Sequence, residues 1–173
     1  EEVGVDIVVA QGHEAGGHSS PDEIPTFVLV PQVADAVKIP VLAGGGVGDA
    51  RGLVAALVLG AEGVYMGTRF MPTYECACHP AVKEAVLQAR DDSTVAYGRR
   101  TFSITRALKN DFTRKFLEME FGGVPSEELR AFDRYYTPGD DERHRFFRGI
   151  REGELQWGMV GCGAVAGMIR EMT

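Results

Sequence analysis

The residues of this sequence best suited to chemistry are three glycine clusters and one histidine. Gly12 is followed by Gly16 and Gly17, Gly44-Gly45-Gly46 form a second cluster, and Gly67-Thr68 a third. Glycine lets backbone N–H groups approach a ligand closely and adopt positive φ, and a following helix N-terminus favours an anion. Behind parallel strands the three clusters converge on one face, where two of them on consecutive strands make a phosphate cradle. The plain alternative is three tight strand-to-helix turns. Neither GxGxxG nor GxxxxGKS/T occurs, which argues against a Rossmann or Walker site.

His18 lies between Gly17 and Ser19, on a loop behind a strand and with no helix face to pack. An unperturbed imidazole has a pKa of about 6.5, so it can take or give a proton near neutral pH. His18 is therefore the candidate acid–base or ligand-contacting residue. His13 and Glu14 share its loop, where Glu14 can orient the chain or pair with a nearby donor. Cys76-Ala77-Cys78-His79 contains metal-ligating residue types, but the two-residue gap and a second ligand pair are missing, so it reads as the lead into a helix. Arg99, Arg100, Arg106, Lys109, Arg114 and Lys115 are interleaved with acids and read as solvated faces, a few of them able to meet an anionic substrate or cofactor tail.

Strands and helices must place these residues. Val5 to Ala10 and Ile39 to Ala43 are short apolar runs that predict buried strands, and Val64 to Met66 begins a third. Between them, Leu29 to Lys38 has helical spacing, with Pro31 confined to its first turn. Asp49 is placed as the N-cap of a helix that stops at Gly60. Continuous apolar strands alternating with helices predict an α/β fold around a parallel sheet. The middle of the chain reads as mostly helical, over His79 to Arg90, Ala107 to Phe121 and Ser126 to Tyr136, with Gly122-Gly123 and Pro138-Gly139 as breaks. Gly158 to Met172 predicts a last helix, rich in small residues that suit close packing on a sheet.

Composition limits the function classes. The 173 residues are 45% hydrophobic and 25% charged, ordinary for a globular protein and outside the disordered range. Eighteen Lys and Arg against 25 Asp and Glu give a net charge of -7, which argues against nucleic-acid and anionic-membrane partners. No apolar run reaches the roughly 18 residues of a spanning helix. Three cysteines are too few for a disulfide framework, so a reducing interior, the cytoplasm, is the expected compartment. The chain opens on Glu1 directly ahead of an apolar run, and its three βα units cannot close a barrel, so it reads as part of a longer protein.

AQGHEAGGHSS, followed by IPVLAGGGVGDARGLVAALVLGAEGVYMGTRF, closely resembles the nitronate monooxygenase family, formerly the 2-nitropropane dioxygenases. The match is dense over residues 5–72 and recognisable as far as Lys109-Asn110. The resemblance implies an FMN-dependent TIM barrel, with flavin-type enoyl-ACP reductases and NADH:quinone reductases as near relatives. This chain would supply the C-terminal part of the (β/α)8 barrel. Residues 1–73 would be its last βα units, 74–147 an inserted helical lid subdomain, and 148–173 a C-terminal helix returning to the barrel.

Carried over by motif, Gln11 and Gly16 would contact the flavin, and Gly45 and Gly46 its phosphate. Tyr65, Met66, Gly67 and Thr68 would form the other side of the phosphate site. His18 matches the family's catalytic histidine. The implied activity is oxidation of a nitronate or nitroalkane with oxygen. The alternatives are NAD(P)H-dependent reduction of a quinone or enoyl thioester, and a non-catalytic flavin- or phosphate-binding barrel. The implied partners are a small-molecule substrate, the N-terminal half of the same barrel and, as an option, a second copy in a homodimer. His13 stands where the family often has a smaller residue, and Ala164 where it often has Gln.

Overall fold

The computed structural model describes residues 4–134 and 144–173. Its first sheet is parallel, with β1 (Val8–Gln11), β3 (Val41–Gly44) and β4 (Gly63–Tyr65) in the order β1-β3-β4. The register places Ala10 beside Ala43 and Leu42 beside Gly63. Two helices supply the crossovers, α1 (Thr26–Ala36) and α2 (Ala50–Val58). Ala10, Val30, Val41, Ala43, Ala56 and Ala61 are buried between these helices and the sheet. The expected α/β pattern is thus present in the first part of the chain, with strand ends shifted by one to three residues.

Local chemistry explains most of these boundaries. Asp49 caps α2 as expected, its carboxylate accepting from the N–H groups of Arg51 and Gly52. Helix α1 departs from expectation, because it begins at Thr26 and so places Pro31 in its interior. A proline there removes the N–H that would reach the carbonyl four residues back. Tertiary structure compensates at the helix start, where Glu14 takes both the N–H and the hydroxyl of Thr26, at 2.9 and 2.8 Å.

The middle of the chain is a correction. It contains a second sheet as well as helices, with β2 (Gly17–His18), β5 (Thr94–Tyr97) and β6 (Thr105–Leu108) antiparallel in the order β2-β6-β5. The helix expected from Ala107 begins only at Asp111, since Ala107 and Leu108 face β5 instead. Around this sheet pack α3 (Pro80–Leu87), α4 (Asp111–Phe121), α5 (Ser126–Arg134) and α6 (Arg145–Glu152). The Tyr136 end of the third expected helix and the Pro138-Gly139 break lie outside the described residues. Tyr97, Ala107, Phe112, Phe116, Leu129 and Met159 form the core beneath α4 and α5. Arg145 is buried there with its guanidinium 4.6 Å from the rings of both Phe112 and Phe132, and it donates to the carbonyls of Phe132 and Trp157. A buried cation is tolerable under these conditions because its donors are satisfied and aromatic faces cover it.

The last expected helix is also overturned. Residues 158–162 run extended beside β6, with Leu108 N–H donating to Val160 O and Cys162 N–H to Arg106 O. Only a 3-10 turn follows, over Ala164–Met168. The small residues serve close approach, as anticipated, but to neighbouring backbone rather than along a helix. A Cβ on Gly163 would lie 2.9 Å from Glu14 O, and one on Gly167 2.7 Å from Arg90 O.

Asn110 joins this C-terminal segment to α4. Its side chain accepts from Thr113 N–H in a capping box and donates to the carbonyls of Leu155 and Gly158 at 2.8 and 2.7 Å. Asn110→Ala removes the cap and both tertiary bonds, so it should cost about 2–3 kcal/mol. The midpoint of urea unfolding of the intact protein measures this.

Candidate active site

A cavity of about 370 Å³ opens at the C-terminal ends of the parallel strands. All three glycine clusters reach it. Its lining includes each of the eight residues anticipated to contact a cofactor: Gln11, Gly16, Gly45, Gly46, Tyr65, Met66, Gly67 and Thr68. They come together because β1, β3 and β4 are parallel and end on one side.

Each turn is held by backbone packing. Gly45 and Gly46 have φ of +84° and +73°, the left-handed region that favours glycine. A Cβ on Gly45 would also lie 2.9 Å from Gly12 O and Ala15 N. Gly67 differs, with nothing within 4 Å of where its Cβ would be, so a side chain there would enter open space. Thr68 is buried, and its hydroxyl accepts from Gly163 N–H at 2.9 Å. That bond carries the C-terminal segment to the cavity, where Gly161, Gly163 and Val165 join the lining.

Several lining residues lie outside the sequence-based set. Met71, Cys76 and Cys78 come from the loop before α3, and Phe146 and Ile150 from α6. They make one wall apolar. No lysine or arginine lines the cavity among the described residues, and its one carboxylate, Glu14, is engaged by Thr26.

His18 is not part of the lining. It sits in the two-residue strand β2 rather than in an open loop, paired with Thr105, and its side chain is exposed. Its link to the cavity is Gln11, whose amide donates to the His18 carbonyl at 2.8 Å. Register places His18, Thr105 and Tyr97 in one row across the second sheet. At the end of that row Tyr97 donates to Asp133 Oδ1 at 3.0 Å. Burial pushes the Asp133 carboxyl upward, opposed by the Tyr97 hydroxyl and by the charges of His144, His18 and Arg145. Burial and the neighbouring Asp133 hold the Tyr97 phenol well above its ordinary value.

The loop carrying Glu14 is tied to the second sheet by charge. His13 Nε2 lies 2.9 Å from Arg106 Nη2 and 3.2 Å from Glu23 Oε1. Arg106 also donates to the His13 carbonyl, and Arg99 grips Glu23 with two bonds at 3.0 and 2.7 Å. Arg100 donates to the side chain and carbonyl of Glu120. Arg99 and Arg100 are exposed, as read from the sequence, and also serve as structural ties; Arg106 is half-buried, and Arg114 and Lys115 pair with near neighbours on the exposed face of α4.

Known proteins share this sequence and geometry. The nitronate monooxygenase family model matches residues 1–159. A Staphylococcus haemolyticus protein described as a probable nitronate monooxygenase is 41% identical over 134 residues, which is 72% of this chain and 37% of that protein. A protein of the same description from Staphylococcus aureus strain JH9 is 38% identical over 138 residues, 75% of this chain and 39% of that one. Among solved structures, FabK from Thermotoga maritima superposes with a TM-score of 0.85 at 39% identity, over 99% of this chain and 51% of FabK. A nitroalkane oxidase from Streptomyces ansochromogenes superposes with a TM-score of 0.69 at 28% identity, over 99% of this chain and 49% of that one. The chain thus spans between about a third and a half of the length of these relatives.

The ties at His13 make stability depend on pH. Desolvation, then the Arg106 charge, lowers the His13 pKa from its ordinary 6.5, so protonation opposes the fold. The unfolded chain takes up this proton first, and stability falls as pH drops below 6.5. Glu23, held below its ordinary 4.5 mainly by Arg99, adds a second loss at more acid pH. His13→Gln should flatten the fall in melting temperature between pH 6.5 and 4.5 while leaving the more acid loss in place. Thermal melts across that range measure both.

Proposed function

The chain belongs to the nitronate monooxygenase family, and from that premise we propose that the intact protein is an FMN-dependent oxidoreductase. Its reaction is the oxidation of a nitronate or nitroalkane with oxygen. The observation that carries the reading is the convergence of Gln11, Gly16, Gly45, Gly46, Tyr65, Met66, Gly67 and Thr68 on one cavity. The residues suit a flavin mononucleotide. Two consecutive left-handed glycines and the open space at Gly67 suit a close approach of a phosphate to the backbone. Gln11 and Gly16, in the same lining, would be the flavin's ring contacts. When bound, the flavin carries the redox chemistry, and the protein's part is to hold it, orient the substrate and move protons.

In this proposal residues 1–173 supply the C-terminal part of a (β/α)8 barrel, and the remaining strands come from outside them. Residues 74–147 act as a lid subdomain, supported by the reach of Cys76, Cys78 and Phe146 to the cavity wall. His18 is the acid–base group. A nitroalkane must lose the proton α to its nitro group before oxidation, and an exposed imidazole at the end of a short strand can take it. Gln11 anchors that strand to the cavity through the His18 carbonyl.

One observation favours a second reading within the class. An anionic nitronate asks for a cation near the reacting atoms, and the described lining has none. An apolar wall of Met71, Phe146 and Ile150 suits a neutral quinone or the acyl part of an enoyl thioester, reduced with NAD(P)H as the electron source. NADH oxidation with and without quinone, beside oxygen uptake on a nitronate, separates the two reactions. Absence of both would leave a binding protein.

Two variants test the assignment. Gly67→Leu places its side chain in open space, so the protein should fold and purify with its yellow colour lost. Full FMN occupancy in that variant would move the phosphate elsewhere. His18→Asn should retain FMN and lose roughly 10²–10⁴-fold in turnover of a neutral nitroalkane, with a smaller loss on a pre-ionised nitronate. Wild-type turnover of the neutral substrate would remove His18 from the acid–base role, and loss of flavin would tie it to the cofactor site.

A further inference from the structure

Two thiols stand on the cavity wall with no role in the reading above. Cys76 and Cys78 both line the cavity, two residues apart in a stretch between Met71 and His79 that forms neither helix nor strand. Cys78 is 9% exposed and packs with Val82, Val86, Leu108 and Val160, and Cys76 lies partly exposed against the same cluster. Cys78 Sγ donates to the Met71 carbonyl at 3.5 Å.

We propose that Cys76 and Cys78 are a peroxide-reactive dithiol that closes to a Cys76–Cys78 disulfide on the cavity wall. The inference rests on two cysteines, two apart in the chain, on one wall of the cavity, and is independent of which substrate the flavin site takes. Residues two apart lie at most about 7 Å from each other, close to the roughly 4.4–6.8 Å that a disulfide spans between Cα atoms. Neither residue lies in a helix or strand, so no regular element has to unwind for the ring to close.

The residues divide the chemistry between them. Burial, then the neighbouring Cys76, pushes the Cys78 thiol up to about 11, so Cys78 stays protonated and does not make the first attack. Cys76, the more accessible sulfur, attacks one oxygen of hydrogen peroxide as its thiolate. The O–O bond breaks, Cys76 becomes a sulfenic acid, and the departing hydroxide takes up a proton to leave as water. Cys78 sulfur then attacks the Cys76 sulfur. The S–S bond forms, the S–O bond breaks, and the Cys78 proton leaves with that hydroxyl as a second water. Two thiols have lost two electrons and one peroxide has gained them. Cys162 is fully buried, does not line the cavity and is pushed up to about 12 by burial, so it stays reduced.

The test is carried out on the intact, FMN-loaded protein. It is exposed to equimolar hydrogen peroxide, unfolded in an alkylating reagent, digested and weighed. The expected result is a peptide spanning Cys76 and Cys78 that has lost two hydrogens and takes no alkyl group. Dithiothreitol should restore both alkylation sites, and Cys162 should be alkylated throughout. Cys78→Ser should stop the reaction at a Cys76 sulfenic acid that dimedone captures, and Cys76→Ser should leave Cys78 unmodified. Alkylation of both thiols in the treated wild-type protein would overturn the proposal. So would a Cys76 sulfinic acid beside a free Cys78, or a disulfide to Cys162. The wild-type protein decides between these outcomes even where a serine variant fails to fold.

Discussion

Much of the structure depends on what Glu14 holds. Its carboxylate accepts from the N–H and hydroxyl of Thr26, and its carbonyl accepts from Ala164 N–H at 2.9 Å. The same Thr26 hydroxyl reaches the carbonyls of Gly44 and Gly45, at 3.3 and 3.1 Å. Glu14 and Thr26 together thereby fix the start of α1 and the turn after β3, and the Glu14 carbonyl fixes the approach of the C-terminal segment. A helix that begins behind Pro25 has no side-chain cap of its own, so a remote carboxylate takes the place of a local one. The close fit of Gly12 against Thr26 and of Gly16 against Gly163 follows from that arrangement, because neither position leaves room for a Cβ.

The loop around Glu14 also joins the two sheets. Between Gln11, where β1 ends, and Gly17, where β2 begins, the chain passes from the parallel sheet to the antiparallel one. A crossing this short needs firm attachment on both sides. Gly12 N–H bonds to Gly44 O on the first side, while Arg106, His13, Glu23 and Arg99 form a chain of polar contacts, with an Arg99–Glu23 ion pair, on the second. These contacts are partly buried and share partners, a setting in which ion pairs contribute more than isolated ones on an open surface. The cavity wall at Gly16 and Gly17 is the product of this double attachment.

The cavity has two chemically different sides. Toward the strand ends it offers backbone, glycine and Thr68, which suit a polar, anionic group. Toward α6 and the loop before α3 it offers Met71, Phe146, Ile150 and the two thiols. The second side comes from residues far along the chain from the first. Binding of a cofactor and choice of substrate can therefore vary separately, the first governed by turn geometry and the second by what the later segments bring to the wall.

Family resemblance singled out Gln11, Tyr65 and Met66; the sequence by itself determined the α/β alternation of the first part, the Asp49 cap and the three glycine clusters that gather at the cavity. Each of those is written locally, in apolar runs of strand length, in a capping residue, or in glycines placed directly behind strands. Tertiary structure decided the rest. Thr94–Tyr97 and Thr105–Leu108 are strands because they pair with each other and with Gly17–His18, and nothing within four residues announces that partner. Gly158 to Met172 is not a helix because its backbone groups bond to Arg106, Leu108, Arg145 and Glu14, all distant in sequence. Cys76, Cys78, Phe146 and Ile150 reach the cavity for the same reason: a wall is made by whatever packing brings to it, and spacing along the chain carries no record of that distance.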